Sequence, residues 1–168
     1  MPESRVPNVS QPTTLPELVK RTRRSSAAFT GTVLAVDPGE TCGWALFENV
    51  DLINAGQFRV NTLEQFDAFV TDSHPDVMVI ENYRVYASRA AQHVGSEVNT
   101  AQYIGILKFL GQMYQIPVAL QMAHQAKGWV SDARLNQLGL FQTGKRHSND
   151  AIRHGVYWLL FGHIAKAQ

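Results

Sequence analysis

Two carboxylates in this chain each close a short, wholly apolar run. Asp37 follows Val33-Leu34-Ala35-Val36, and Glu81 follows Val77-Met78-Val79-Ile80. In an open α/β sheet the carboxyl ends of such strands form the rim where ligands bind. An acid buried there alone would be costly, so an exposed strand end or a bound cation must offset it. A third group, His147-Ser148-Asn149-Asp150, sets an imidazole and a carboxylate three residues apart, on one side of a helix. His154, four residues beyond Asp150, extends that stripe. An imidazole one turn from a carboxylate suits metal binding or proton transfer. Three carboxylates suit Mg²⁺ or Mn²⁺, which prefer oxygen ligands, and a single cysteine does not suit structural zinc. Two such ions can clamp a scissile phosphate, one preparing the attacking water and the other stabilising the leaving oxygen. His147 would complete the second ion's site or handle a proton. Taken singly, these residues have plainer roles: each acid opens a solvated loop, and Asp150 complements a helix dipole from the first turn. Two strand ends in matching contexts, with the third group, favour the chemical reading.

Those residues need a sheet to hold them. The run Thr32–Val36 predicts a strand buried on both faces, ending at the turn Asp37-Pro38-Gly39. Two more strands are expected at Gly43–Glu48 and Leu52–Val60, joined by a turn at Asn49-Val50-Asp51. Thr62 and Gln65 form a capping-box pattern ahead of a helix whose apolar face carries Leu63, Phe66 and Val70. Val77–Ile80 is a second buried strand. A long helix is expected from about Gln92 to Tyr114, then a strand at Ile116–Gln121, and one or two short helices over 123–139. A last helix begins near Ser148, with Ile152, Val156, Leu159 and Leu160 on its apolar face. The order is β-β-β-α-β-α-β-α, without an internal repeat.

The 168 residues fit one domain, and 45% apolar with 17% charged residues is an ordinary globular composition. Residues 1–30, rich in Pro, Ser, Thr and Arg, read as a flexible basic arm with a short helix near Leu15–Arg24; the ordered domain is expected over 31–168. No apolar run approaches the roughly 18 residues that span a bilayer, and the first residues lack a secretory apolar stretch. With Cys42 the sole cysteine, an intracellular, cytoplasmic protein without a membrane partner is expected. The net charge of +1 hides an uneven distribution: residues 31–81 carry nine acids against Arg59, whereas residues 82–168 carry nine bases against Glu97, Asp132 and Asp150. Such segregation is compatible with a polyanion partner but does not require one.

The motifs together resemble a known family. Val33-Leu34-Ala35-Val36-Asp37-Pro38-Gly39 with Gly43-Trp44-Ala45 is similar to the opening strand of RuvC-like Holliday junction resolvases. Val79-Ile80-Glu81-Asn82 is similar to that family's second acidic strand, and His147-Ser148-Asn149-Asp150-Ala151 to the start of its last helix. The resemblance spans about residues 31–165 and suggests a phage or viral branch. It implies an RNase H-like α/β fold: a mixed five-stranded sheet, its first three strands antiparallel, flanked by helices. It also implies a homodimer, built on the long helix from about Gln92, that hydrolyses branched DNA with Mg²⁺, for which Mn²⁺ would substitute. Asp37, Glu81 and Asp150 carry over as metal ligands and catalytic residues, with His147 in the fourth position. The loop after Glu81 interleaves aromatic and basic residues, Tyr83, Arg84, Tyr86 and Arg89, which suits stacking on unpaired bases and phosphate contact. Lys127, Lys145 and Arg146 are further candidates for phosphate contact. A broader flap and fork nuclease, or a catalytically silent RuvC-like regulator, fits the same motifs. An actin-like phosphotransferase would need two such domains, more chain than is present.

Overall fold

Strand β1 (Thr32–Asp37) runs through the middle of the sheet, and Val33, Leu34, Ala35 and Val36 are all fully buried. It pairs antiparallel with β2 (Thr41–Glu48), which pairs antiparallel with β3 (Asp51–Arg59). On its other side β1 runs parallel to β4 (Val77–Asn82), which runs parallel to β5 (Val118–Met122). The strand order is therefore β3-β2-β1-β4-β5, the mixed sheet with three leading antiparallel strands that the sequence led us to expect. This computed structural model describes residues 13–23, 28–82 and 99–162.

Alternation along the strands sorts the core into two layers. Val33, Ala35, Val77 and Val79 face helix α6 (Arg146–Phe161) and meet its Ala151, Ile152, Val156 and Leu159. Leu34, Val36, Met78 and Ile80 face the opposite way, against Phe66 and Val70 of α2 (Glu64–Ser73) and Tyr103, Ile104, Leu107 and Leu110 of α3 (Asn99–Met113). The same parity puts positions 37 and 81 on the α6 side. Two short helices, α4 (Ala123–Trp129) and α5 (Asp132–Gln137), complete that layer.

Several boundaries differ from expectation for local reasons. The α2 N-cap falls at Leu63, one residue late for a capping box, although Gln65 Oε1 does accept from the Thr62 and Asn61 amides at 3.1 and 2.7 Å. Strand β5 starts at Val118 because the Ile116 amide is still bonded to Gly111 O, closing the end of α3. The short helix expected near Leu15–Arg24 forms as helix α1 (Leu15–Thr22), but it is docked rather than part of a flexible arm, with Leu15 and Val19 buried against α6. Arg23 then donates to the carbonyls of Leu159 and Gly162 at 2.6 and 2.8 Å, occupying acceptors that the end of α6 leaves open. The apolar spacing of Leu15, Leu18 and Val19 outweighs the polar composition around it. Among the described residues, no helix is long and apolar enough to cross a membrane.

Candidate active site

Strand register sets the first two carboxylates side by side. Val36 is level with Ile80, so Asp37 and Glu81 leave adjacent parallel strands at the same height on the α6 face. Glu81 is in turn level with Gln121 of β5, whose side chain shares that face. Helix α6 lies across these strand ends, and two glycines let it come close. A Cβ on Gly43, the cross-strand partner of Asp37, would lie 2.0 Å from the His147 carbonyl oxygen. A Cβ on Gly155 would lie 2.1 Å from the Phe47 ring. Gly43 thus belongs to the site, because it lets the first turn of α6 reach Asp37.

From that helix, His147 Nδ1 meets Asp37 Oδ2 at 2.9 Å. His154, two turns on, meets Glu81 Oε2 through Nε2 at 3.0 Å and Gln121 Oε1 through Nδ1 at 2.9 Å. Asp150, three residues beyond His147, is bonded to cations rather than to Asp37 or His147. One of its carboxylate oxygens pairs with Lys127 Nζ at 3.2 Å, and the other with Arg153. Arg153 also bonds Asp132 and donates to the Val130 carbonyl at 2.9 Å, tying α6 to the start of α5. Among the described residues no three His, Cys, Asp or Glu side chains converge as a ready metal-ligand set. Asp37 and Glu81 each face a histidine, and Asp150 faces two cations.

The electrostatics record crowding. Burial raises the Asp37 carboxyl, and repulsion from Glu81 and Asp150 adds to it against the pull of His147, so it titrates at about 6. Burial raises Glu81 as well, but the hydrogen bond and charge of His154, with Lys127 and His147, outweigh it and leave Glu81 below its ordinary value. Burial also lowers Arg153, against the opposing charge of Glu81. Cys42 lies buried on the opposite face of the sheet, its thiol pushed up by burial and by Asp37, so it offers no thiolate to this site.

Beside Asp150 opens a cleft of about 650 Å³, lined by Lys127, Lys145, Arg146 and Arg153 among others. Three residues expected to contact phosphate therefore share one cleft. Its loop wall is clipped to α6: Asn149 donates to the Gln142 carbonyl at 2.7 Å and accepts from the Gln142 amide at 2.8 Å. Ser148 adds a bond to the Gln142 side chain at 2.8 Å. The middle residues of the His-Ser-Asn-Asp motif are thus structural. Tyr83, Arg84, Tyr86 and Arg89 lie outside the described residues. Gln121 and Arg153 carried no sequence signal, because their partners stand 33 residues away or on a turn whose pairing the helical stripe does not reveal.

No protein-family model and no curated protein sequence matches the chain. Its structure resembles Thermus thermophilus RuvC in complex with a Holliday junction substrate, with 14% identity and a TM-score of 0.56 over 75% of this chain and 90% of that one. It also resembles the yeast mitochondrial Holliday junction resolvase, at 14% identity and a TM-score of 0.54 over 86% and 84% of the two chains. The fowlpox virus resolvase bound to Holliday junction DNA gives 14% identity and 0.54 over 76% and 97%. The chain has the RNase H-like fold of these RuvC-type resolvases.

Proposed function

We propose that this chain is a RuvC-like crossover junction endodeoxyribonuclease, which cuts Holliday junctions and related branched DNA by two-metal phosphodiester hydrolysis. The observation that carries this reading is the meeting of Asp37 and Glu81 at adjacent strand ends under α6, with His147 bonded to Asp37 and Asp150 opening onto a cationic cleft. The chemistry of the donor set fits a divalent cation. Asp37 is held near 6 partly by the charges of Glu81 and Asp150, and a cation among them would relieve that repulsion. Asp37 and Glu81 would hold Mg²⁺, or Mn²⁺ in its place, with Asp150 and His147 as further ligands. Bound there, the cation would activate the attacking water and neutralise charge at the phosphate.

The chain's own residues do the rest. Lys127, Lys145 and Arg146 bind the backbone on either side of the scissile phosphate, with Tyr83, Arg84, Tyr86 and Arg89 assigned to the branch point. His147 fixes Asp37 through Nδ1 and keeps Nε2 for a ligand or a proton. Phe109 and Met113, one turn apart on α3, and Leu120 of edge strand β5 are exposed at 60%, 48% and 42%. That apolar surface supports a homodimer built on α3, which would present two active sites to a four-way junction. Residues 31–168 would form the nuclease, acting in the cytoplasm, and residues 1–30 a basic extension that α1 anchors on α6.

A second reading, a silent nucleic-acid-binding regulator, is favoured by one observation: both Asp150 oxygens are already paired with cations. A labelled four-way junction, a 5′ flap, a fork and linear duplex, each with Mg²⁺, Mn²⁺ or EDTA, separate the possibilities. Metal-dependent paired cuts confined to the junction are the expected result. Equal cutting of flaps and forks would replace it with a general branch nuclease, and binding without any cutting would replace it with the regulator.

A further inference from the structure

His154 is the one fully buried histidine among the described residues, and nothing in the proposed hydrolysis uses it. Both of its ring nitrogens are engaged, with Gln121 on one side and Glu81 on the other. Gln121 is itself 7% exposed and stands level with Glu81 on the neighbouring strand. The three side chains therefore form a closed chain, Gln121–His154–Glu81, across two strand ends and one helix.

From this we infer that His154 is a positioning residue that orients the Glu81 carboxylate toward the cation site, with Gln121 as its anchor. The inference rests on the reading of Glu81 as a cation-holding group. An ionised carboxylate can only accept, so Nε2 must carry the hydrogen of the His154–Glu81 bond. A glutamine amide can accept through Oε1 or, turned over, donate through its nitrogen. Either orientation satisfies Nδ1 and leaves Nε2–H on Glu81. The bond ties Oε2 of Glu81 and leaves Oε1 for a cation. Hydrogen bonds of this kind restrict a ligating carboxylate to one orientation and so strengthen its hold on the ion. His147 bonds Asp37 in the same sense, but it is partly exposed. Only the Glu81 arm is locked from inside the core.

Two substitutions of similar size separate positioning from packing. In His154→Gln the side-chain nitrogen reaches the place of Nε2 and still donates to Glu81. In His154→Asn it reaches only the place of Nδ1, so Gln121 keeps a partner and Glu81 loses one. Mn²⁺ affinity of the full chain is measured by calorimetry without DNA, beside the melting temperature of each variant in EDTA. His154→Asn should weaken Mn²⁺ binding roughly 10- to 100-fold, while His154→Gln stays near the wild-type affinity, and the two variants melt at similar temperatures. If the two variants lose affinity equally, or neither loses any, His154 is packing alone and the inference fails. If the wild-type protein binds no Mn²⁺, the nuclease reading fails and this inference fails with it.

Discussion

Replacing Asp37 by Asn should stabilise the metal-free protein at neutral pH while removing cleavage. The Asp37 side chain is 14% exposed. Burial first, then the charges of Glu81 and Asp150, raise its carboxyl from 3.8 to about 6, against the attraction of His147. A group whose folded pKa lies above its unfolded value favours the fold when protonated. That contribution is complete below about pH 3.8 and is lost as the pH rises through about 6. A gap of about 2 pH units at 1.36 kcal/mol each makes the loss about 3 kcal/mol above pH 7. Asn carries no charge and escapes the loss, but it gives up the attraction to His147, so a net gain of about 1–3 kcal/mol at pH 8 is expected. For a domain of this size each kcal/mol moves the melting temperature by roughly 2–4 °C. Thermal unfolding of both proteins in EDTA from pH 4 to 8 should show the wild type losing ground to Asp37→Asn between pH 4 and 7, with a constant gap above. A variant less stable than wild type at pH 8, or a gap independent of pH, would refute the electrostatic account of the site.

Gly43→Ala should cost about 1–3 kcal/mol of stability and lower the cleavage rate well beyond that, because its Cβ would collide with the His147 carbonyl and lift the start of α6; melting curves beside single-turnover rates check both. Asn149→Ala should cost about 2 kcal/mol by stranding the amide and carbonyl of Gln142, and limited proteolysis should then cut faster within residues 139–145. Arg23→Ala should cost about 2 kcal/mol through the carbonyls of Leu159 and Gly162, read as faster amide exchange in the last turn of α6.

The sheet was legible because its two central parallel strands are buried on both faces, and such strands read as unbroken apolar runs at Val33–Val36 and Val77–Ile80. Their period of two also fixes the face on which Asp37 and Glu81 emerge. What the sequence did not reveal depends on contacts distant along the chain. The docking of α1 needs the end of α6, some 136 residues away. The pairing of His154 with Gln121 spans 33 residues and depends on the register that sets β5 level with Glu81 of β4, which no local pattern gives. His147 and Asp150 lie one turn apart on α6 as the spacing implied, yet they have different partners, because Arg153 and, from α4, Lys127 take up the Asp150 carboxylate. Periodicity reports the face of a helix, and the partner across the gap decides which way a carboxylate turns.

Cleavage by the Glu81→Gln variant decides whether this carboxylate serves the reaction, because the change keeps the size of the side chain and an acceptor for His154 while removing the charge that would hold a cation. Single-turnover cleavage of a four-way junction in Mg²⁺ is compared with junction binding in Ca²⁺ for the wild type and this variant. Intact binding and a fall in cleavage on the order of 10³-fold, about 4 kcal/mol of lost transition-state stabilisation, are expected. A variant that binds and still cuts at the wild-type rate would rule out Glu81 as a cation-holding group in the reaction.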